Sequence, residues 1–209
     1  MSAAGVGVLG TGPVARLFAG RLTELGRPVV LGSRDPAAHA GTGFRVVRLA
    51  EAVADNPVLI NATPGASSVA ALTAVGPAAF AGKVLIDVAN AVTPEFDLAY
   101  PNASLGAALQ AALPDARVVK AMNTAPIEDV VRPGELAAAD LFLSGDDAAA
   151  KESVAELLVS FGWPRERLLD LGGIRTARGP EHFFLLAPAL AGAVGTPHLT
   201  LRVVHREPA

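Results

Sequence analysis

The amino-acid sequence predicts an α/β fold, with a doubly wound parallel sheet and a small C-terminal α/β lobe. Three observations predict it. Short runs that are apolar almost throughout alternate with segments of helical pattern, as expected of parallel strands that helices cover on both faces. Two glycines, Gly10 and Gly12, follow the first apolar run at once. The second run comes soon after the first helical segment, so the chain opens with a strand, a helix and a strand, which is the Rossmann-type arrangement.

The first half of the chain supplies five predicted strands. Residues 5–9 form the first strand, and a helix over 16–25 follows, with Gly26 as its stop signal. The next strands are residues 28–32, a short one at 44–47, and 57–61 and 83–87, which are hydrophobic runs that end in a polar residue. Asp35 and Pro36 predict the start of a short helix, and residues 49–54 predict another.

The second half continues the alternation with a helix at 105–113, a strand at 117–120, and a strand, helix and strand at 140–143, 148–161 and 168–171. The last helix, 180–194, contains "FFLLAPALAGAV", which is too apolar for an exposed helix and too short for a membrane span. It is predicted to be buried in the small lobe, against a cleft or against a second subunit, and a homodimer is preferred. Residues 200–204 are predicted to form a closing strand.

Length and composition limit the domain organisation and the class of partner. The 209 residues, 51% of them hydrophobic, suffice for a nucleotide-binding domain over 1–122 and a small lobe over 123–209 that completes the cleft and forms the dimer interface. A net charge of −3 without any basic run excludes a nucleic-acid partner. The absence of cysteine excludes disulfides and thiolate metal sites and predicts a cytoplasmic protein. The four histidines lack metal-ligand spacing, and no leader or membrane segment is predicted.

The pattern Gly10-x-Gly12-x-x-Ala15 resembles the fingerprint of dinucleotide-binding sites. Its glycines allow a tight turn and a close approach of the backbone to a pyrophosphate at the helix N-terminus. Gly10, Thr11, Gly12, Pro13 and Val14 are therefore predicted to bind the cofactor. The alternative is a glycine turn that only joins a strand to a helix.

The end of the second strand predicts which dinucleotide binds. An acidic residue about 20 residues beyond the glycines would favour NAD, whereas an arginine accommodates the 2′-phosphate of NADP. Here the position holds Ser33 and Arg34, whose hydroxyl and guanidinium both donate to phosphate, so NADP is predicted. Asp35 is the opposing observation, and its alternative role is to cap the short helix that starts at Pro36.

Further candidate site residues follow three more predicted strands, where ligands of an open parallel sheet bind. They are Thr63 and Pro64 after the fourth strand, Ala89 and Asn90 after the fifth, and Asn123 after the sixth. For Thr63 and Pro64 the alternative is a turn that caps the next helix, and for the two asparagines it is an Asx-turn. Asp87, at the end of the fifth strand, is predicted to be structural.

The chain resembles the NADPH-dependent reductases of coenzyme F-420, a deazaflavin. The resemblance lies in the run from Lys120 to Thr124, "KAMNT", in "LFLSGDDAAAKESVAELLVSFGW" and "LLDLGGIRTARGPE", and in "GTG" and "GSR" near the N-terminus. It implies a Rossmann lobe and a small lobe with a deazaflavin in the cleft between them, so that hydride passes directly between the two rings.

By the same resemblance, Thr11, Ser33 and Arg34 contact NADP. Thr63 and Pro64 lie at the nicotinamide end, and Asn90 and Asn123 border the cleft. Proteins of this family that reduce the deazaflavin carry a further basic residue soon after the Ser-Arg pair. This chain has Ala37, Ala38 and His39 there, and whether His39 substitutes for that residue stays open. They carry a histidine where this chain has Asn123.

Hydride transfer between two stacked rings requires positioning and no obligatory acid. We therefore predict no catalytic acid or base, and a positioning role for Asn90 and Asn123. The acceptor is alternatively a flavin, an imine or a carbonyl compound. An imine or a carbonyl compound needs a proton donor, and Tyr100, Asp87 and Lys120 are the candidates. For Lys120 the alternative is a surface charge at a strand end.

Two points stay open at this stage. The stretch from 175 to 181, "RTARGPE", either binds an anionic tail or only starts the last helix. The whole chain is either an NADP-dependent oxidoreductase or a module that binds NADP(H) without turnover and signals to a partner protein.

Overall fold

The computed structural model describes residues 4–39 and 41–206. In these residues, eight strands form one sheet. The strands are β1 (Val6–Leu9), β2 (Val29–Ser33), β3 (Val46–Arg48), β4 (Val58–Asn61), β5 (Val84–Asp87), β6 (Arg117–Ala121), β7 (Leu141–Ser144) and β8 (Leu168–Asp170). All eight were predicted from their apolar runs, with ends that differ by one or two residues.

The described part of the chain contains seven α-helices, six of them between strands and the seventh after β8, together with short 3-10 helices. The helices are α1 (Pro13–Glu24), α2 (Leu49–Asp55), α3 (Gly65–Thr73), α4 (Leu105–Ala112), α5 (Ile127–Val131), α6 (Ala148–Phe161) and α7 (Arg178–Val194). The bounds of α6 match the prediction, whereas α1 and α7 begin earlier than predicted. Pro13 takes the first turn of α1, where its missing N–H costs no hydrogen bond.

The sheet has the order β3-β2-β1-β4-β5-β6-β7-β8, which begins as the Rossmann order and confirms the predicted fold class. The first six strands are parallel, but β7 pairs with β6 in the antiparallel direction and β8 runs parallel to β7. The prediction of parallel strands is therefore wrong for this pair. The sheet also continues across the predicted domain boundary at residue 122, since β6 and β7 are neighbours.

Helices bury apolar side chains against both faces of the sheet, in two core clusters. In α1 the buried positions are Ala15, Phe18, Ala19 and Leu22, the spacing of one helix face. Burial of a side chain as large as Phe18 contributes about 2–3 kcal/mol to stability. These contacts fix the N-terminus of α1 at the carboxyl end of β1.

The single tryptophan of the chain, Trp163, is buried just after α6. Its indole N–H donates to the carbonyl oxygen of Val130 at 2.8 Å, which satisfies the one polar atom of the side chain. This bond joins α5 to the chain that leaves α6.

The predicted closing strand at 200–204 is wrong, because these residues are in neither helix nor strand. The segment forms hydrogen bonds to Asp140 instead. The N–H of Asp140 donates to the Leu201 carbonyl at 2.9 Å, and the N–H of Val203 donates to the Asp140 carboxylate at 2.6 Å. Within the described residues no helix is long and apolar enough to cross a bilayer.

Candidate functional site

A cleft of about 890 Å³ lies at the carboxyl ends of β1, β2, β4, β5 and β6. This volume is near the upper end of the range of about 300–1,000 Å³ for small-molecule sites. All predicted site residues line it: Gly10, Thr11, Gly12, Pro13, Val14, Ser33, Arg34, Thr63, Pro64, Ala89, Asn90 and Asn123. The structure thus brings together residues from both predicted parts of the chain.

The glycine turn between β1 and α1 forms one wall of the cleft. Gly10 has φ +130°, and a Cβ there would lie 2.7 Å from the carbonyl oxygen of Ala62, so only glycine fits. Gly12 is the N-cap of α1, without a side chain that caps the helix, and a Cβ on it would point into open space. Pro13 has no N–H and the N–H of Arg16 bonds the Gly12 carbonyl, so the N–H groups of Val14 and Ala15 have no partner within the helix, as an anionic group such as pyrophosphate requires.

A polar corner that contains the ionisable side chains Arg34, Asp35 and His39 follows β2. Ser33 is nearly buried, Arg34 is exposed, and both line the cleft. The ring Nε2 of His39 lies 3.2 Å from Oγ1 of Thr11, so His39 also belongs to this corner. The Asp35 carboxylate accepts a hydrogen bond from the N–H of Ala38 at 3.4 Å, which is the predicted helix-capping role, although Asp35 lines the cleft as well.

The hydroxyl of Thr63 is held by a buried polar network beneath the cleft. It donates to Oδ1 of Asn61 at 2.6 Å and lies 2.7 Å from the hydroxyl of Ser68. Asn61 in turn donates from Nδ2 to Oδ1 of Asp87 at 2.9 Å. Because its only hydrogen is bonded to Asn61, Thr63 can offer a ligand only an acceptor.

The two predicted positioning residues contact each other. Nδ2 of Asn123 donates to Oδ1 of Asn90 at 3.0 Å, and Nδ2 of Asn90 donates to the main-chain oxygen of Asn123 at 3.1 Å. Asn123 follows Met122, whose φ of +64° is rare for a residue with a side chain. This turn directs the chain after β6 across the cleft edge toward the loop after β5.

A buried ion cluster, Asp87, Lys120 and Glu181, lies beneath these asparagines. Nζ of Lys120 lies 2.9 Å from Oδ2 of Asp87 and 3.0 Å from Oε1 of Glu181, and all three side chains are at most 5% exposed. Nζ of Lys120 also donates to the carbonyl oxygen of Ala89. The alternative of a surface charge for Lys120 is therefore wrong, because two carboxylates compensate its burial. Asp87 is structural, as predicted.

Sequence reasoning missed this cluster, although one signal for it exists. Asp87 and Lys120 are opposite each other in the register of β5 and β6, and each ends an apolar run. Opposite charges at matching positions of neighbouring strands predict an ion pair. Glu181, in contrast, gives no such signal, and it also accepts from the N–H groups of Leu105 and Gly106 at the start of α4.

The other end of the cleft is apolar. Side chains of α7 and of the segment after it form its wall, together with the chain around α5: Phe183, Phe184, Ala187, Pro188, Ala191, Pro197, Leu199, Met122, Pro126 and Ile127. Among the described residues, the ionisable side chains that line the cleft are Arg34, Asp35 and His39, all at the corner after β2. None of the three candidate proton donors, Tyr100, Asp87 and Lys120, is part of the lining.

The stretch from 175 to 181 forms a 3-10 turn and the start of α7. Arg175 and Arg178 are outside the cleft lining, and Glu181 is buried in the ion cluster. The structure thus shows this stretch as the start of the helix, the second of its two predicted roles.

A family profile and a solved structure that resemble this chain indicate the same family. The sequence profile of the family described as NADP oxidoreductase, coenzyme F-420-dependent, matches residues 5–91. The chain is 38% identical to a candidate F-420-dependent NADP reductase of Arthrobacter sp. FB24, with a TM-score of 0.90 and coverage of 97% of this chain and 100% of that one.

Two further similarities are more limited. The metalloreductase STEAP3 of Rattus norvegicus is 31% identical over 179 residues, which are 84% of this chain but 35% of that protein, so the chain spans about a third of its length. An imine reductase of Streptomyces aurantiacus, 17% identical, has a TM-score of 0.68 and is similar over 91% of this chain and 63% of its own. This last similarity concerns the fold.

Proposed function

The chain belongs to the family of coenzyme F-420-dependent NADP oxidoreductases, and from this premise we propose that it transfers a hydride between NADP(H) and coenzyme F-420. The observation that carries the proposal is the uneven distribution of charge in the cleft. Among the residues that the structure describes, all ionisable side chains of the lining lie at the corner after β2, while the other end is apolar. Such an end suits a neutral planar ring and offers no acid to a substrate that needs a proton from the protein.

The polar half of the cleft has the groups that NADP(H) needs. The unpaired amides after Gly12 would bind the pyrophosphate. Arg34, with Ser33, would bind the 2′-phosphate, and His39 supplies a further donor at the same corner. Thr63, whose hydroxyl can only accept, suits the amide N–H₂ of the nicotinamide.

The apolar half would hold the deazaflavin ring. When both are bound, the dinucleotide supplies the hydride, and the accompanying proton comes from solvent because no acid lines this end. Asn90 and Asn123 hold the loops after β5 and β6 together by their two hydrogen bonds. Their contribution is alignment of the rings, which alone can lower a reaction barrier by several kcal/mol.

The test mixes purified protein, NADPH and oxidised coenzyme F-420 and follows the loss of the deazaflavin absorbance. We expect turnover with the wild type and none above the protein-free rate with Gly12→Val, which blocks the pyrophosphate site. Riboflavin and a cyclic imine are run alongside. Turnover of either compound without turnover of F-420 contradicts F-420 as the acceptor, but it agrees with an oxidoreductase activity.

A second candidate, a module that senses NADP(H) without turnover, has its own outcome in this experiment. Tight NADPH binding without reduction of any acceptor would contradict the proposed transfer and favour the sensor. The apolar end of the cleft argues against the sensor, since a protein that only senses the dinucleotide needs no second ligand site.

We further propose that the chain forms a cytoplasmic homodimer through α7. Only Pro180 and Glu181 of this helix are buried, whereas Leu185, Leu186 and Val194 are 41%, 50% and 62% exposed. Such an apolar face suits a second copy of itself. Leu186→Glu is expected to convert the dimer to a monomer in analytical ultracentrifugation, and a wild type that is monomeric at micromolar concentration would overturn the proposal.

A further inference from the structure

The ammonium group of Lys120 has three partners. It donates hydrogen bonds to the carboxylate of Asp87 on β5 and to the carbonyl oxygen of Ala89 in the loop after β5, and it forms an ion pair with Glu181 on α7 at 3.0 Å. A buried ammonium held by three partners restricts their positions relative to one another. Lys120 therefore ties a core strand, a cleft-lining loop and the helix of the apolar wall to one point.

Ala89 and Glu181, the two partners of Lys120 outside the core strand, lie in or near segments that line the cleft. Ala89 lines it and precedes Asn90, whose side chain bonds Asn123. Glu181 precedes Phe183 and Phe184 of the apolar wall by two and three positions. The N–H of Ala89 also donates to Asp87 Oδ1 at 3.3 Å, so the cluster holds both main-chain polar groups of Ala89.

Stability alone does not explain the cluster. A buried ion pair is often replaced by apolar residues of similar size without loss of stability, because desolvation offsets its attraction. The bond from Lys120 to Ala89 adds nothing to the compensation of the two carboxylates. What it does is fix the loop that borders the proposed nicotinamide site.

We propose that Lys120 is a positioning residue that sets the gap between the nicotinamide loop at Ala89–Asn90 and the apolar wall of α7. The proposal rests on the proposed function. Lys120 touches neither ring in this arrangement and acts through the Ala89 carbonyl on one side and through Glu181 on the other.

The experiment uses the double variant Asp87→Asn with Lys120→Met, which removes both charges of the pair. It leaves Glu181 bonded to the N–H groups of Leu105 and Gly106 at the start of α4. The matched control is Lys151→Met, because Lys151 also bonds a carboxylate, Asp170, at 2.7 Å and a carbonyl oxygen, that of Gly172, at 3.3 Å, but lies outside the cleft lining.

Two readouts separate position from stability. Calorimetry compares the Kd of NADPH with that of 2′,5′-ADP, which lacks the nicotinamide. We expect the double variant to bind 2′,5′-ADP as the wild type does and to bind NADPH about three- to tenfold more weakly, the effect of one lost hydrogen bond. Single-turnover hydride transfer at saturating NADPH is expected to slow about 100-fold, as for a misplacement of about 1 Å. The control changes neither.

The second variant, Glu181→Gln, keeps the bond from Lys120 to Ala89 and weakens only the link to α7. We expect its ratio of NADPH to 2′,5′-ADP affinity to stay at the wild-type value while the KM for the acceptor rises. Loss of the link to Ala89 thus changes the ratio of affinities, whereas loss of the link to Glu181 changes the KM for the acceptor.

A folded double variant with the wild-type ratio of affinities overturns the inference, whether or not any acceptor is reduced. Failure of both variants to fold also overturns it, because the cluster would then serve stability. If the wild type reduces no acceptor, the proposed function fails, while the ratio of affinities still decides whether Lys120 positions the loop.

Discussion

Substitution of Gly12 by valine is expected to abolish dinucleotide binding and to leave the apo protein folded. The backbone at Gly12 is extended, with φ −72° and ψ −177°, and no atom of the rest of the protein lies within 4 Å of the position of a Cβ. A β-branched side chain adopts this conformation without strain. Its methyl groups then occupy the space in front of the unpaired amides of α1.

Gly12→Val is expected to change the free energy of unfolding much less than the free energy of NADPH binding. Valine is a poorer N-cap than glycine, by about 1 kcal/mol, and the loss of a flexible glycine in the unfolded chain offsets part of this. For a chain of 209 residues, we therefore expect Tm to fall by no more than about 4 °C. Two charge-assisted bonds lost from the pyrophosphate cost about 3–6 kcal/mol, which raises Kd at least about 100-fold.

Two other glycines serve as controls in the same calorimetric titration. A Cβ at Gly20, within α1 and outside the cleft lining, also meets no atom within 4 Å, so Gly20→Val is expected to keep both stability and binding. Gly10→Val is expected to destabilise the fold itself, because Gly10 has φ +130° and its Cβ would lie 2.7 Å from a carbonyl oxygen. A Gly12→Val protein that binds NADPH within about threefold of the wild type would refute the pyrophosphate assignment.

Three more outcomes are expected. The wild type should bind NADPH at least about tenfold more tightly than NADH, and Arg34→Ala should remove most of that preference, because a charge-assisted phosphate contact contributes about 1.5–3 kcal/mol; equal affinities in the wild type would contradict the choice of NADP. Asn123→Ala should slow single-turnover hydride transfer about tenfold and leave the Kd of NADPH nearly unchanged, since it removes the bond that aligns Asn90; stopped-flow absorbance separates the two, and an unchanged rate would exclude a positioning role. Partial burial raises the pKa of Asp170, but the bonds from Lys151 and from the N–H of Gly172 outweigh it and hold the pKa below its ordinary value of 3.8. The stability that this carboxylate contributes is then present above that value and is lost as the pH falls through the folded pKa, so urea titrations should show Asp170→Asn less stable than the wild type at pH 7, with a difference that vanishes in strong acid; a constant difference would contradict it.

The strands and most of the candidate site were predictable because each is local in sequence. A buried parallel strand is an apolar run, and the residues just after it lie at one edge of the sheet. That rule alone placed Thr63, Asn90 and Asn123 beside the same cleft. Their binding roles stay predictions.

The direction of β7 could not be predicted, because it depends on the path of the preceding connection and not on the strand itself. A parallel strand requires the chain to return along the sheet, usually as a helix. Here the connection from 122 to 140 contains the five-residue α5 and a five-residue 3-10 helix, Gly134–Ala138, and β7 then pairs with β6 in the antiparallel direction. The same path explains why residues 122–127 line the cleft.

Two other failures come from contacts between distant residues. A partly alternating run such as 200–204 needs an edge strand to pair with, and these residues form hydrogen bonds to Asp140 instead. Lys120 reads as a surface residue by its charge, and only the folded chain brings it to Asp87, 33 positions away.

The position of Trp163 gives the protein a built-in optical reporter. The indole is the only one in the chain and is bonded to the main chain of α5, whose first residue, Ile127, lines the apolar end of the cleft. The emission of a buried indole overlaps the absorption band of reduced nicotinamide. Excitation of the tryptophan should therefore reveal arrival of NADPH by energy transfer, without any label and at protein concentrations too low for calorimetry.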